Sequence, residues 1–147
     1  MRNGEGSMGA GREAGTVAAL AVALSMALAA PTGAQVPLRD NAAINDRLLV
    51  VGLANEIRKR CGSISGRLLK GVSTLRAIHR DARRQGYTKD QIEAYVDSDA
   101  EKARMKARGR VWLAQRGASP EKPETMCRVG REEIAGSTAI GRLLYEN

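Results

Sequence analysis

The 147-residue sequence predicts an all-α protein, in which a signal peptide precedes a small bundle of about four helices with one intramolecular disulfide. After Gln35, apolar residues recur at the 3.6-residue spacing of amphipathic helices, and the alternation and turn signals of β-hairpins are lacking. Two cysteines, Cys61 and Cys127, allow one intramolecular pairing. The length of residues 35–147 suits a single helical domain.

The N-terminal part carries the pattern of a signal peptide. Residues 16–30 read TVAALAVALSMALAA, a segment shorter than the roughly 20 apolar residues of a membrane span. Small residues, Thr32 and Ala34, stand third and first before a cleavage site at Gln35. We therefore predict a signal peptide over residues 1–34, no transmembrane span after its cleavage, and a periplasmic domain, either free or peripheral on the membrane. An uncleaved membrane anchor is the alternative.

The formal net charge of +8 belongs to the exported part, because the charges of residues 1–34 cancel. A basic surface attracts an acidic protein partner or an anionic envelope surface, and salt weakens the attraction. The sequence lacks Phe, and its aromatic residues are Tyr87, Tyr95, Trp112 and Tyr145. Since these do not interleave with basic residues as base-stacking platforms do, nucleic acid is not expected as a partner.

A disulfide is the expected use of two cysteines in an exported chain. Closing the 66-residue loop between Cys61 and Cys127 would stabilise the fold by about 4 kcal/mol in the chain-entropy model. The alternative is a redox-active or metal-binding thiol pair, which needs CxxC spacing or nearby His ligands that the sequence lacks.

The first helix is predicted from Asn41 to Cys61, with Gly62 ending it. One apolar face comprises Val50, Leu53, Ala54 and Ile57, and a second comprises Ile44, Leu48 and Val51. A helix that is apolar on two sides is expected at the centre of a bundle.

The second helix is expected after SIS and ends before Gly86. Its apolar stripe, which we expect to face the core, comprises Ile64, Leu68, Val72, Leu75, His79 and Ala82. His79 is expected to be packed and hydrogen-bonded there, and a role as general base or ligand is the alternative. The adjacent side carries Arg76, Arg80, Arg83 and Arg84, which form either a solvated face or a docking patch for anionic groups.

The third helix begins at a capping box formed by Thr88 and Gln91. An unbroken stripe then predicts one long helix to Arg116, whose Ala-rich seam faces another helix. The stripe comprises Ile92, Val96, Ala100, Ala103, Ala107, Val111 and Ala114. A second possible capping box, Ser98 with Glu101, makes a kink at residues 97–99 the alternative.

Met105 and Trp112 lie on the side of this helix opposite the Ala seam. An exposed Trp and Met among charged residues would suit a protein contact, in which both residue types are enriched. The alternative is that the following loop or helix covers this side and makes Trp112 part of the core.

The last helix is predicted to begin at Pro123 or Glu124, since Pro is tolerated in a first turn. Its inner face comprises Cys127, Gly130, Ile134, Ser137, Gly141 and Leu144. Cys127 would thus face the end of the first helix, where Cys61 lies.

The acidic segment YVDSDAEKARMK was tested as a metal or acid-base site. On a helix, Asp97 and Asp99 diverge by about 200° and cannot share an ion. A calcium loop would have Gly and Glu where Lys102 and Arg108 stand. Ion pairing within the helix is therefore expected for Asp97, Asp99 and Glu101. No catalytic or cofactor motif appears, so we predict a non-catalytic protein without a cofactor; a small cell-envelope hydrolase using carboxylates is the alternative.

Three segments, NEIRKRCGSISGRLL, QGYTKDQIEAYVDSDAEKARMKARG and MCRVGREEIAGSTAIGRLL, resemble an uncharacterised family of small exported helical bacterial proteins. Members are called a domain of unknown function, and some carry the label NADH dehydrogenase subunit. The resemblance covers about residues 40–147 and implies an all-α periplasmic domain with two matched cysteines. It implies no catalytic residues. We accordingly expect an interaction or accessory module, for which a membrane complex is one candidate site of association.

Overall fold

A computed structural model describes residues 35–147 of the protein. Within them the chain forms five α-helices and a two-stranded antiparallel sheet. The elements are α1 (Ala42–Arg60), β1 (Ile64–Gly66), α2 (Leu68–Arg84), α3 (Lys89–Asp97), α4 (Asp99–Ala114), α5 (Pro123–Ala135) and β2 (Leu144–Glu146). The all-α prediction with one disulfide is confirmed, whereas the strand pair was not predicted. The predicted signal peptide lies outside the described residues.

Helix α1 is central, as predicted from its two apolar faces. One face contributes to the disulfide core, whose buried residues are Leu53, Ala54, Ile57, Cys61, Ile64, Leu113, Ala118, Met126, Val129, Ile140, Leu143 and Leu144. The other face contributes to the Tyr87 core, whose buried residues are Leu38, Ile44, Ile78, Ala82, Tyr87 and Ile92. Asn41 caps α1 by accepting a hydrogen bond from the backbone nitrogen of Ile44.

The disulfide between Cys61 and Cys127 joins the end of α1 to the first turns of α5, with the Cα atoms 5.0 Å apart. Helix α5 approaches α1 closely at Gly130, where an added Cβ would lie 2.7 Å from Cγ2 of Ile57. Glycine therefore fits this contact best, because a larger side chain would force the side chains of Ile57 and Ile64 to shift. The prediction that both cysteines and Gly130 face inward is confirmed.

Helix α2 is rotated relative to the prediction. Most of the expected core stripe points away from the protein: Leu68, Val72, Leu75 and His79 are exposed, and Ile64 belongs to β1, whereas Ala82 is buried as predicted. Only Ile78 and Ala82 of this helix are buried, against the Tyr87 core. The cause of the rotation lies in the packing of the helix. These two residues pack against α1, and no described element covers the opposite side of α2. The expectation of a packed His79 is wrong.

The predicted single long third helix is wrong, and the kink alternative is correct. Ser98 is extended, with ψ 119°, and its hydroxyl accepts a hydrogen bond from the backbone nitrogen of Glu101 at 3.3 Å, so a new helix starts there. The Ala seam of α4 faces solvent instead of a neighbouring helix. Alanine buries little apolar area, so the larger side chains on the opposite side gain more from facing α1.

The predicted last helix begins at Pro123 as expected but ends at Ala135, well before Leu144. Ser137 adopts a positive φ of 48° and turns the chain back toward β1. At Gly141 the backbone passes very close to α5. An added Cβ there would lie 2.7 Å from the amide nitrogen of Ile134 and would overlap the backbone carbonyl of Glu133. The chain then pairs as β2 with β1, with Ser65 opposite Tyr145. None of the described helices is long and apolar enough to cross a membrane.

Candidate binding surfaces

The outward side of α2, here called the α2 outer face, combines apolar and basic side chains. It comprises Leu68, Leu69, Val72, Leu75, Arg76, His79, Arg80, Arg83 and Arg84, all of them exposed. Leu68 retains 64% of its accessible surface and Leu69 retains 89%. The first half of the face is therefore apolar and the second half basic. The four arginines predicted as a docking patch lie together in that second half.

Charge on the α2 outer face is only partly neutralised. Asp81 hydrogen-bonds to Arg47 and Arg84. The hydrogen bond from Arg47, aided by the charges of nearby arginines, holds the pKa of Asp81 below its usual range, so it is ionised at neutral pH. Arg76 and Arg80 make no ion pair within residues 35–147. These two side chains thus present uncompensated charge to solvent.

A second surface is a cavity between α1 and α4, here called the α1–α4 groove. Its volume is about 430 Å³, within the size range of small-molecule sites. The floor consists of Leu49, Gly52, Leu53, Met105, Gly109, Leu113 and Pro120. The rim consists of Glu56, Arg60, Lys102, Lys106, Arg110 and Glu121. The site is thus apolar inside and charged at its edge.

Two helical glycines line the α1–α4 groove. At Gly109 an added Cβ would lie 3.7 Å from Cδ2 of Leu53, which is an ordinary contact distance. At Gly52 an added Cβ would meet nothing within 4 Å. The missing side chain at Gly52 therefore leaves space in the cavity and satisfies no packing constraint.

The rim of the groove is more positive than negative. Glu56 pairs with Arg60 at 3.0 Å, and Lys102 pairs with Asp99 at 3.4 Å. Lys106 and Arg110 make no ion pair within the part of the chain that the structure describes. These two cations lie one helical turn apart on α4 and are available to an anion.

Glu121, the other rim carboxylate, is held as an anion. The Ser119 hydroxyl hydrogen-bonds to it and lowers its pKa, and the charges of Arg110 and Arg60 act in the same direction. Glu121 consequently offsets part of the positive charge at one place on the rim and leaves Lys106 unaffected.

Met105 and Trp112 share the inner side of α4 but have different surroundings. Met105 lines the α1–α4 groove. Trp112 is half-buried against the disulfide core, and the Arg116 guanidinium stacks over its ring at 3.6 Å from the centroid. The packed alternative is therefore the one observed for Trp112, and a role of either residue in protein binding stays a prediction.

The acidic segment forms part of a partly buried polar network around Asn45, here called the Asn45 network (Arg39, Asn45, Tyr95, Glu101 and Arg104). One carboxylate oxygen of Glu101 pairs with Arg39 at 3.0 Å and the other with Arg104 at 2.7 Å. Arg104 also donates to the hydroxyl of Tyr95 at 2.8 Å, and Tyr95 hydrogen-bonds to Asn45. The hydrogen bond to Glu101 raises the pKa of Arg104. One oxygen of Glu101 thus joins α4 to the segment before α1, and the other is engaged within α4.

The remaining predicted acids do not converge on a site. Asp97 ends α3, and Asp99 is fully exposed in the first turn of α4, where it pairs with Lys102. The i,i+3 pairs expected from the sequence are thus present for Asp99 and Glu101. Across residues 35–147, no group of three His, Cys, Asp or Glu residues is placed to hold a metal ion. The carboxylate hydrolase alternative stays a hypothesis.

Sequence reasoning missed the α1–α4 groove and the apolar half of the α2 outer face. A signal for the groove was present, because Gly52 and Gly109 both stand inside predicted helices, where glycine costs about 1 kcal/mol relative to alanine. The apolar half of α2 offered no such signal, since a stripe of leucine and valine is usually buried.

These features define a small, basic helical domain in which one disulfide joins the first and last helices. Residues 36–145 match the model of a family described as a family of unknown function, DUF5333, and the chain belongs to this family. The resemblance inferred from the three segments is thereby confirmed, although the family description carries no NADH dehydrogenase assignment. No curated protein and no solved structure matches the chain.

Proposed function

We propose that the protein is an exported, non-catalytic accessory module that docks on an acidic partner protein of the cell envelope through the α2 outer face. The observation that carries this proposal is the exposure of four large apolar side chains directly beside four exposed arginines. Contiguous exposed apolar surface with a polar rim is typical of protein interaction sites. The disulfide supports export, since such bonds persist in oxidising compartments.

The distribution of side chains favours a protein partner over a lipid surface. In helices that lie in a membrane, apolar residues run along the whole length of one side and basic residues along the other. On α2 the exposed apolar residues end at Leu75 and the exposed arginines begin at Arg76 on the adjacent side, so the two classes divide along the length of the helix as well as around it. A partner with an apolar pocket next to a cluster of carboxylates would match this pattern.

Site-specific photo-crosslinking in the cell envelope tests the proposal. A photoreactive residue in place of Val72 or Arg80 samples the α2 outer face, and one in place of Ala103 or Ala107, exposed on α4, provides a matched control. We expect one acidic protein to be captured from the two α2 positions and not from the α4 positions. Because the contact includes ion pairs, capture should fall as salt is raised.

The double variant Arg76→Glu with Arg80→Glu should abolish the same crosslink from Val72. Neither arginine makes an ion pair within residues 35–147, so the fold should tolerate the change. Equal capture from α2 and α4 positions, capture of lipid alone, or capture that the double variant leaves intact would each overturn the proposal. Circular dichroism confirms that the variant is folded.

A further inference from the structure

We propose that the α1–α4 groove binds a single-chain amphiphile with an anionic head group. The chain would lie on the apolar floor, and the head group would contact the free cations of the rim. The shared chemistry is a hydrocarbon chain that ends in a carboxylate or a phosphate. This inference concerns a different surface from the α2 outer face and does not depend on it.

The floor of the groove suits a hydrocarbon chain. Leu53 and Leu113 are almost fully buried and close the base of the groove, and the partly exposed Leu49 supplies apolar surface above them. Met105 adds a flexible side chain that adapts to irregular ligand shapes. At about 430 Å³ the cavity lies toward the small end of the range of about 300 to 1,000 Å³ for ligand sites, so one chain fits better than the two chains of a membrane phospholipid.

The rim selects for an anion. Four of its six charged residues are cations; Arg60 pairs with Glu56, Lys102 pairs with Asp99, and the ionised Glu121 offsets part of the charge of Arg110. Lys106 and Arg110 stand on the same side of α4 without an ion pair in the described residues. An anionic head group placed between them would gain two charge-assisted hydrogen bonds, whereas a neutral head group would gain less.

Gly52 provides a direct way to close the groove. Because a Cβ at Gly52 meets no neighbouring atom, Gly52→Leu extends into the cavity without displacing the core. Gly71 in α2 is a matched control, since it is also a glycine inside a helix with open space at its Cβ position. The two substitutions add the same side chain, and only one of them enters the groove.

The test measures binding to the disulfide-bonded protein by titration calorimetry, with every ligand below its micelle concentration. Palmitate tests a carboxylate head group, and a lysophospholipid with a phosphate head tests a phosphate head group. Monopalmitoylglycerol is the neutral control. We expect at least one anionic ligand to bind wild type and Gly71→Leu equally, and at least tenfold more weakly to Gly52→Leu. Lys106→Gln with Arg110→Gln should weaken the anionic ligand about tenfold and leave the neutral one unchanged.

The pattern of results identifies the head group or rejects the site. Binding of palmitate alone indicates a carboxylate ligand, and binding of the lysophospholipid alone indicates a phosphate ligand. Absence of binding, equal affinity of Gly52→Leu and wild type, or equal affinity for neutral and anionic ligands overturns the proposal. The Arg76→Glu and Arg80→Glu variant should bind these ligands normally, so failure here is distinguishable from failure of the docking proposal.

Discussion

The two ends of α1 are held to the rest of the domain by different interactions. At its C-terminal end, Cys61 forms a covalent bond to α5, and the surrounding side chains are apolar and buried. Near its N-terminal end, Asn45 is the centre of hydrogen bonds and ion pairs that reach α3 and α4. The disulfide restricts the unfolded chain, whereas the polar network acts only in the folded state.

The difference follows from the side chains that each partner segment supplies. Helix α5 and the segment after it bring Met126, Val129 and Leu143 to α1, enough to build an apolar core. Helices α3 and α4 are rich in alanine and charge and bury only Ile92 and Leu113. Directional hydrogen bonds therefore position α3 and α4 where apolar area is scarce. The predictions below separate the two kinds of attachment.

Removal of the disulfide should have the largest effect. Cys61→Ala with Cys127→Ala releases a 66-residue loop, and we expect the free energy of unfolding to fall by about 4 kcal/mol. Urea denaturation at low and high salt measures it, and the loss should be the same at both. A loss below about 1 kcal/mol would show that the apolar contacts suffice at this end.

Loss of Asn45 should have the next largest effect. Its amide nitrogen donates to three backbone carbonyls, including that of Leu38 at 2.8 Å, and its oxygen accepts from Tyr95 and Arg104. Asn45→Ala leaves buried polar groups without partners, so urea denaturation should show a loss of about 2 to 3 kcal/mol. Asn55→Ala is the control on the same helix.

Asn55→Ala should lower the free energy of unfolding only slightly. The Asn55 side chain accepts one hydrogen bond, from Arg58 at 2.7 Å, and is not at the centre of a network. We expect a loss below about 1 kcal/mol for Asn55→Ala. Equal losses for the two variants would mean that the Asn45 network contributes no more than an ordinary surface hydrogen bond.

Two glycine substitutions should change stability in opposite directions. Gly130→Ala overpacks the disulfide core against Ile57 and Ile64 and should cost about 1 to 3 kcal/mol. Gly52→Ala enters open space inside α1 and should stabilise by up to about 1 kcal/mol through helix propensity. Thermal unfolding of both variants shows whether each is more or less stable than wild type. A destabilising Gly52→Ala would show that the groove needs an empty position for folding.

Acid should weaken the attachment of α2 to α1, with the smallest effect of the series. The pKa of Asp81 is lowered in the folded state, chiefly by the hydrogen bond from Arg47, so the stabilisation is present above its unfolded pKa of about 4 and is lost as pH falls through the folded value. Asp81→Asn should remove that part of the acid dependence. Identical pH profiles of wild type and variant between pH 5 and 2 would contradict this assignment.

Local signals in the sequence located most of the helix ends. The capping box at Thr88 is formed in both directions, with Gln91 as its partner. Pro123 occupies the first turn of α5, and Gly86 and Gly117 adopt positive φ where the sequence predicted helix ends. These features depend on residues within a few positions of one another, so a single segment contains all the information that they need.

The orientation of α2 and α4 could not be predicted in the same way. Periodicity identifies a stripe, but the side that becomes buried depends on which neighbour supplies a surface. On α4, Trp112 and Leu113 bury more apolar area than the stripe of alanines would, so their side of the helix faces the core. On α2, Ile78 meets α1, whereas no described element reaches Leu69. Most residues of the two predicted inner stripes therefore face solvent, and Ile64, Ala82 and Ile92 are the buried exceptions.

The sequence by itself determined the helical class, the central position of α1, the disulfide partners and the family. The sequence offered the break at Ser98 as one of two alternatives, and only the tertiary structure decided the strand pair, the α2 outer face and the α1–α4 groove. The physical reason is the range of the interactions. Caps, helix periodicity and a single possible cysteine pairing act within one segment or leave one solution, whereas a groove exists only where Gly52 of one helix is placed beside Gly109 of another.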